Sequence, residues 1–95
     1  MFITITSGKR NPKEIQATTT FLQGFLPRLQ RQPGVLAVYH YARLEQSDST
    51  TIIIWENEEA VRAYRASDLI REAIAFEQAN NLSTTREGYP LDYPL

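Results

Sequence analysis

TIIIWENEEAVRAYRASDLIREAIAFEQ, residues 51–78, decides how this chain folds. It begins as a short apolar run ending at Trp55, rich in the β-branched residues that favour strands. Glu56-Asn57 breaks the run, and asparagine is a good helix cap. Glu58 and Glu59 follow where negative charge suits the positive end of a helix dipole. From there Ala60, Val61, Tyr64, Ser67, Ile70 and Ile74 recur at helical spacing, which predicts one long amphipathic helix stopping at Asn80-Asn81. The stripe is small at its start and bulkier later, so the helix can approach a sheet or leave space for a ligand. Glu58 and Arg62 form an i,i+4 pair on the outer side. A buried strand thus runs directly into a helix.

Upstream lies one earlier strand–helix–strand unit. Residues 2–6 alternate Phe, Ile, Thr, Ile, Thr and read as a first strand, with Ser7-Gly8-Lys9-Arg10 as its exit loop. Asn11-Pro12-Lys13-Glu14 starts a helix: Asn11 caps, Pro12 suits the first helical position, and Glu14 completes a capping box. Ile15, Leu22, Phe25, Leu26 and Leu29 share one face of it. Pro27 cannot donate to the Gln23 carbonyl, so a kink or two shorter helices are expected there. Gln32-Pro33-Gly34 ends the element.

A second strand, residues 35–44, places Val35, Ala37, Tyr39, Tyr41 and Arg43 on one face. Leu36, Val38, His40, Ala42 and Leu44 take the other. A hairpin centred on Ser47 and Asp48 would set Ala42 opposite Ile53 and His40 opposite Trp55. Downstream, residues 82–87 form a weak, polar fourth strand. Tyr89-Pro90-Leu91-Asp92-Tyr93-Pro94-Leu95 repeats Tyr-Pro-Leu, and its prolines favour an extended, unpaired tail.

Composition narrows the function classes. A chain of 95 residues makes one domain, burying roughly 60–65% of its unfolded surface. Ten basic against eleven acidic residues leave the charge near zero, which argues against phosphate neutralisation and nucleic acid as a partner. The chain has no cysteine, excluding disulfides, thiolate nucleophiles and cysteine–metal sites. Its one histidine cannot build a histidine-rich metal site. Neither a signal-like start nor a membrane-length apolar run occurs, so a cytoplasmic protein without a membrane partner is expected.

The order βαββαβ is that of an α+β, ferredoxin-like domain: a four-stranded antiparallel sheet with both helices on one face. Residues 1–88 make this domain and residues 89–95 the tail. The other sheet face keeps Ile, Val, Leu or Tyr side chains whichever way the strands point, too large a patch for a monomer. A homodimer packed through the sheets, with the tail bracing the partner, would cover it.

Three segments carry a family resemblance over most of the chain: Gln32-Pro33-Gly34-Val35, Ile54-Trp55-Glu56-Asn57-Glu58-Glu59-Ala60, and Tyr64-Arg65-Ala66-Ser67-Asp68. Together they resemble the antibiotic biosynthesis monooxygenase-like (ABM) domain of the dimeric α/β-barrel superfamily. The resemblance implies a dimeric barrel and, in some members, cofactor-free oxygenation of phenolic polyketides or quinols; other members degrade haem. Departures are specific. Tyr64 stands where quinol-oxygenase-like members often carry histidine, and Leu69 where they carry a second one. Haem-degrading members need tryptophan at Tyr64, an iron-ligating histidine at Ile74 and a first-strand asparagine. All three are missing here, and without an axial ligand the iron has no anchor.

Cofactor-free oxygenation needs a base, an apolar cavity and donors for developing negative charge. His40 is the one side chain whose ordinary pKa suits proton transfer near neutrality. Tyr64 occupies the position where relatives place a functional residue, and with His40 it makes the candidate catalytic pair. Trp55 is either core or a platform for a small aromatic substrate. Tyr39, Tyr41 and Arg43 are further candidates for binding, or for the dimer interface. A non-catalytic ligand-binding or structural dimer is the rival reading, and no metal or cofactor is expected under either.

Overall fold

The computed structural model describes residues 1–92. Seven elements follow in chain order: β1 (Phe2–Lys9), α1 (Pro12–Gln30), β2 (Val35–Arg43), β3 (Asp48–Trp55), α2 (Glu58–Arg65), α3 (Asp68–Ala79) and β4 (Thr85–Pro90). The strands form one sheet in the order β2-β3-β1-β4, antiparallel throughout. With the three helices packed against one face, this is the expected ferredoxin-like α+β fold.

Capping sets the helix starts. The Asn11 side chain accepts from the Glu14 amide at 2.9 Å and the Glu14 carboxylate accepts from the Asn11 amide at 2.8 Å. Pro27 does not split α1, which runs unbroken from Pro12 to Gln30. Gln23, Gly24 and Pro27 all face solvent, so water can satisfy the carbonyl that the missing N–H abandons. The second helix, by contrast, is two. Ser67 ends α2 and caps α3: its hydroxyl donates to the Tyr64 carbonyl at 2.5 Å and accepts from the Ile70 amide at 3.4 Å. A serine that fits the inward stripe by spacing is here a break point, because its hydroxyl competes for backbone partners.

Strand limits and one register also differ from the sequence reading. β1 extends to Lys9 and β3 begins at Asp48, because Ser7, Gly8 and Lys9 pair with Thr50, Ser49 and Asp48. The β2–β3 turn is tight, with Ser47 left-handed at φ 52°. Arg43 and Asp48 face each other directly after it and are joined by the Arg43 Nε–Asp48 Oδ1 bond of 2.9 Å. His40 therefore lies opposite Thr51 and Ala42 opposite Ser49, while Trp55 meets Val35 beyond an irregularity at Leu36. The shift is an even number of residues, so Ala37 to Arg43 keep their faces; before the irregularity the faces exchange, Val35 packing against the core and Leu36 standing exposed.

Gly34 enters β2 at φ 85°, a region that favours glycine, and a β-carbon there would stand 2.4 Å from Ala60 Cβ. β4 is an edge strand and tolerates Pro90. Tyr89 and Pro90 pair with Ile3 and Phe2, and the Leu91 amide donates to the Met1 carbonyl at 2.9 Å. The first Tyr-Pro of the tail is thus extended, as expected, yet paired; Tyr93, Pro94 and Leu95 lie outside the described residues.

Trp55, Leu29 and Val61 are the most completely buried large side chains, and Phe2, Phe25, Ile53, Leu69 and Ile70 pack around them. Burying each large apolar side chain contributes roughly 1.5–3 kcal/mol. This core fills the Trp55 end of the helix–sheet layer; the other end stays open. No helix among the described residues is long and apolar enough to cross a membrane.

Candidate functional site

Successive rows across the sheet explain the open end. Near the core, Trp55 is opposite Phe2 and Val35. One row further, Val38, Ile53, Thr4 and Gly88 are aligned across the four strands, and then His40, Thr51, Thr6 and Arg86. Alternation, with the irregularity at Leu36 bringing Val35 round to the same side, puts these rows on the helix face. The wall therefore changes from aromatic, through aliphatic and threonine, to polar. Threonine is too short to reach the helices, and the space left above it is a cavity of about 270 Å³. That is close to the lower end of the roughly 300–1,000 Å³ common for small-molecule sites. Leu22, Phe25 and Leu26 of α1 and Ile70, Ile74 and Phe76 of α3 supply an apolar roof. Phe21 stacks on Phe25 and Phe76 with ring centroids 5.1 and 4.2 Å away.

His40 lines the polar end, and its Nδ1 lies 2.9 Å from Thr51 Oγ1. Partial burial depresses its pKa below the ordinary value, so the ring is neutral at pH 7. The Thr51 hydroxyl can accept from Nδ1–H or donate to Nδ1; in the first tautomer Nε2 is a proton acceptor, and it has no protein partner among the described residues. Tyr64 lines the same cavity, 5.3 Å from the Trp55 ring between centroids. Burial pushes its phenol up to about 12, which keeps it a protonated donor at neutral pH.

Arg10 is the unexpected member. It follows β1, yet its side chain folds back over Gly8 and is 94% buried. Nη1 donates to the Lys9 and Ser83 carbonyls at 3.0 and 2.9 Å, and Nη2 to Thr84 Oγ1 at 3.1 Å. Among the described residues Nε–H has no partner, and neither has the buried Thr18 hydroxyl; both residues line the cavity. Desolvation lowers the Arg10 pKa, partly offset by the fields of Glu77 and Glu14. Arg86, beside it on the wall, is instead held charged by Glu77: Nη1 donates to Oε1 at 2.8 Å, and the second oxygen accepts from Nη2.

The structure thus separates the residues singled out from sequence. His40 and Tyr64 come together on one cavity. Trp55 is fully buried and does not line the space; its indole N–H donates to Thr4 Oγ1 at 2.9 Å. Tyr39, Tyr41 and Arg43 lie on the opposite sheet face, exposed, and Arg43 holds Asp48 below the usual carboxylate range. Sequence reasoning passed over Arg10, Glu77, Arg86 and the threonines. The Thr4/Thr6 alternation was a usable signal for a polar wall; nothing local marks Arg10, which acts only because Gly8 leaves room for it. Among the described residues no group of three or more His, Cys, Asp or Glu side chains is placed to hold a metal ion.

No protein-family model matches the sequence, and no curated protein matches it. Solved structures do. A Deinococcus radiodurans protein provisionally named an antibiotic biosynthesis monooxygenase superposes with a TM-score of 0.91 at 15% identity, covering 100% of this chain and 96% of that one. Another antibiotic biosynthesis monooxygenase gives 0.78 at 14% identity over 97% and 99% of the two chains. Rv0793 from Mycobacterium tuberculosis gives 0.81 at 15% identity over 99% and 98%. Identities this low speak to backbone architecture, and on that evidence the chain has the fold of an antibiotic biosynthesis monooxygenase-like domain.

Proposed function

We propose that this protein is an oxidoreductase that binds a small quinol- or phenol-like aromatic in the helix–sheet cavity and oxygenates it with O₂, without a cofactor. The supporting observation is that the one histidine and a protonated tyrosine line a single aromatic-roofed space. His40 Nε2 takes a proton from the substrate hydroxyl, making the ring electron-rich enough to reduce O₂. Tyr64 donates a hydrogen bond to the oxygen on which negative charge develops. The substrate supplies all four electrons: one oxygen atom stays on the ring and the other leaves as water, carrying protons released by the substrate. The apolar roof excludes bulk water from the reactive anion. In this reading the working form is a homodimer joined through the outer sheet faces, with the C-terminal tail against the partner.

The test is oxygen uptake by the purified protein with a panel of quinols and anthrone-type phenols, repeated with His40→Ala and Tyr64→Phe. Wild-type turnover that drops in both variants is expected. A ligand that binds with no uptake by the wild type would convert the reading to a non-catalytic binding module.

A further inference from the structure

Arg10 is a buried cation without a counter-ion among the described residues. Its hydrogen bonds go only to neutral oxygens, of Lys9, Ser83 and Thr84. No carboxylate among the described residues comes within ion-pair distance of it. Those nearby are already engaged: Glu77 by Arg86, Glu14 by the Asn11 amide and Glu87 by the Tyr89 hydroxyl. Glu77 is paired with Arg86, so Arg10 is the cation at the polar end that makes no ion pair among the described residues. A buried charge without a partner is expensive unless something opposite in sign reaches it.

From this guanidinium, which makes no ion pair among the described residues and lines the same cavity as an apolar roof, we infer that the ligand is an aromatic monocarboxylate whose carboxylate docks beside Arg10. The inference rests on the aromatic-binding reading above and specifies its substrate class. A single charge is indicated because Arg10 is the one cation at the polar end without an ion pair among the described residues; Arg65, which also lines the cavity, sits at the exposed C-terminal end of α2. Beside the buried Arg10 Nε and Thr18 Oγ1, which have no partner among the described residues, Arg10 Nη2 makes one of the two hydrogen bonds it can donate, and the threonine row adds hydroxyls along the wall. Gly8 fits the same purpose: a β-carbon there would stand 2.5 Å from Arg10 Nη1 and 2.0 Å from the Ser83 carbonyl oxygen, so only glycine lets the guanidinium lie inward.

Calorimetric titration of the whole chain with 1-naphthoate, its neutral isostere 1-naphthamide and 1-naphthyl phosphate tests it. The acid should bind about 10–100-fold tighter than the amide, the worth of one charge-assisted contact. Arg10→Gln should abolish that preference with little change in amide binding, and Arg10→Lys should keep most of it. Should Arg10→Gln fail to fold, Glu77→Gln serves instead: by freeing Arg86 it should widen the preference severalfold. Equal binding of acid and amide, or a phosphate that outcompetes the acid, overturns the carboxylate inference while leaving aromatic binding intact. If none of the three binds, both readings fall.

Discussion

His40 has one side-chain hydrogen-bond partner among the described residues, the Thr51 hydroxyl. Thr51 Oγ1 partners Nδ1, which leaves Nε2 of this cavity-lining ring without a protein partner among the described residues. If His40 is the base of the proposed reaction, His40→Ala should lower the rate of oxygen uptake by about 10²–10⁴-fold. Because burial depresses the His40 pKa, the acid limb of wild-type activity should fall below the ordinary histidine value of about 6.5. The stability consequence has the same origin. Between the folded pKa and that of the unfolded chain, the unfolded state binds more protons, so stability rises with pH across that window. Thermal melts of wild type should therefore drop as pH falls below about 6.5, and His40→Gln should flatten that drop. Gly8→Ala carries a steric prediction instead: its β-carbon meets a backbone oxygen that cannot swing away, costing roughly 1–3 kcal/mol in denaturant unfolding.

At the scale of elements, α1 and the α2–α3 junction give opposite lessons about helix breakers. Pro27 leaves a gap in the hydrogen-bond ladder on a solvent-facing side. Restoring the N–H in Pro27→Ala should raise stability by about 1–3 kcal/mol, with unchanged far-ultraviolet circular dichroism, since the helix is already continuous. Ser67 does more with less. Ser67→Ala removes the α3 cap and should cost about 1 kcal/mol, read as a lower melting temperature. The packing between α1 and α3 is braced by the Phe21–Phe76 stack and by Arg28, whose Nη1 donates to Glu72 at 2.9 Å. That pair is exposed at both ends, so its contribution to stability is small.

For the molecule as a whole, the deciding surface is the sheet face away from the helices. Ile3, Ile5, Ala37, Ile52 and Ile54 alternate onto it, with Tyr39 61% and Tyr89 49% exposed. An apolar face of this extent is what a second copy would cover. Sedimentation should give twice the 10.9 kDa chain mass, and Tyr39→Glu, placing a charge on that face, should yield folded monomer. A wild-type monomer at all concentrations would refute the dimer while leaving the cavity chemistry to be tested separately.

Element order, strand faces and two of the three helix starts were legible in the chain, because alternation and helical spacing record which side of each element meets the core. Asn11-Pro12-Lys13-Glu14 and Glu56-Asn57 are local signals and were read locally. The hairpin register was not, since it depends on the tight turn at Ser47 and on the Arg43–Asp48 pair that closes it. Nor was the Ser67 break, where spacing and capping chemistry compete for one residue. The cavity belongs to tertiary structure alone. It is space left over where threonines on three-dimensionally adjacent strands fall short of the helices, and Arg10 enters it only through a fold-back over Gly8. A side chain's type is written in the sequence, but an unfilled volume and an unpaired charge exist only once distant segments have packed.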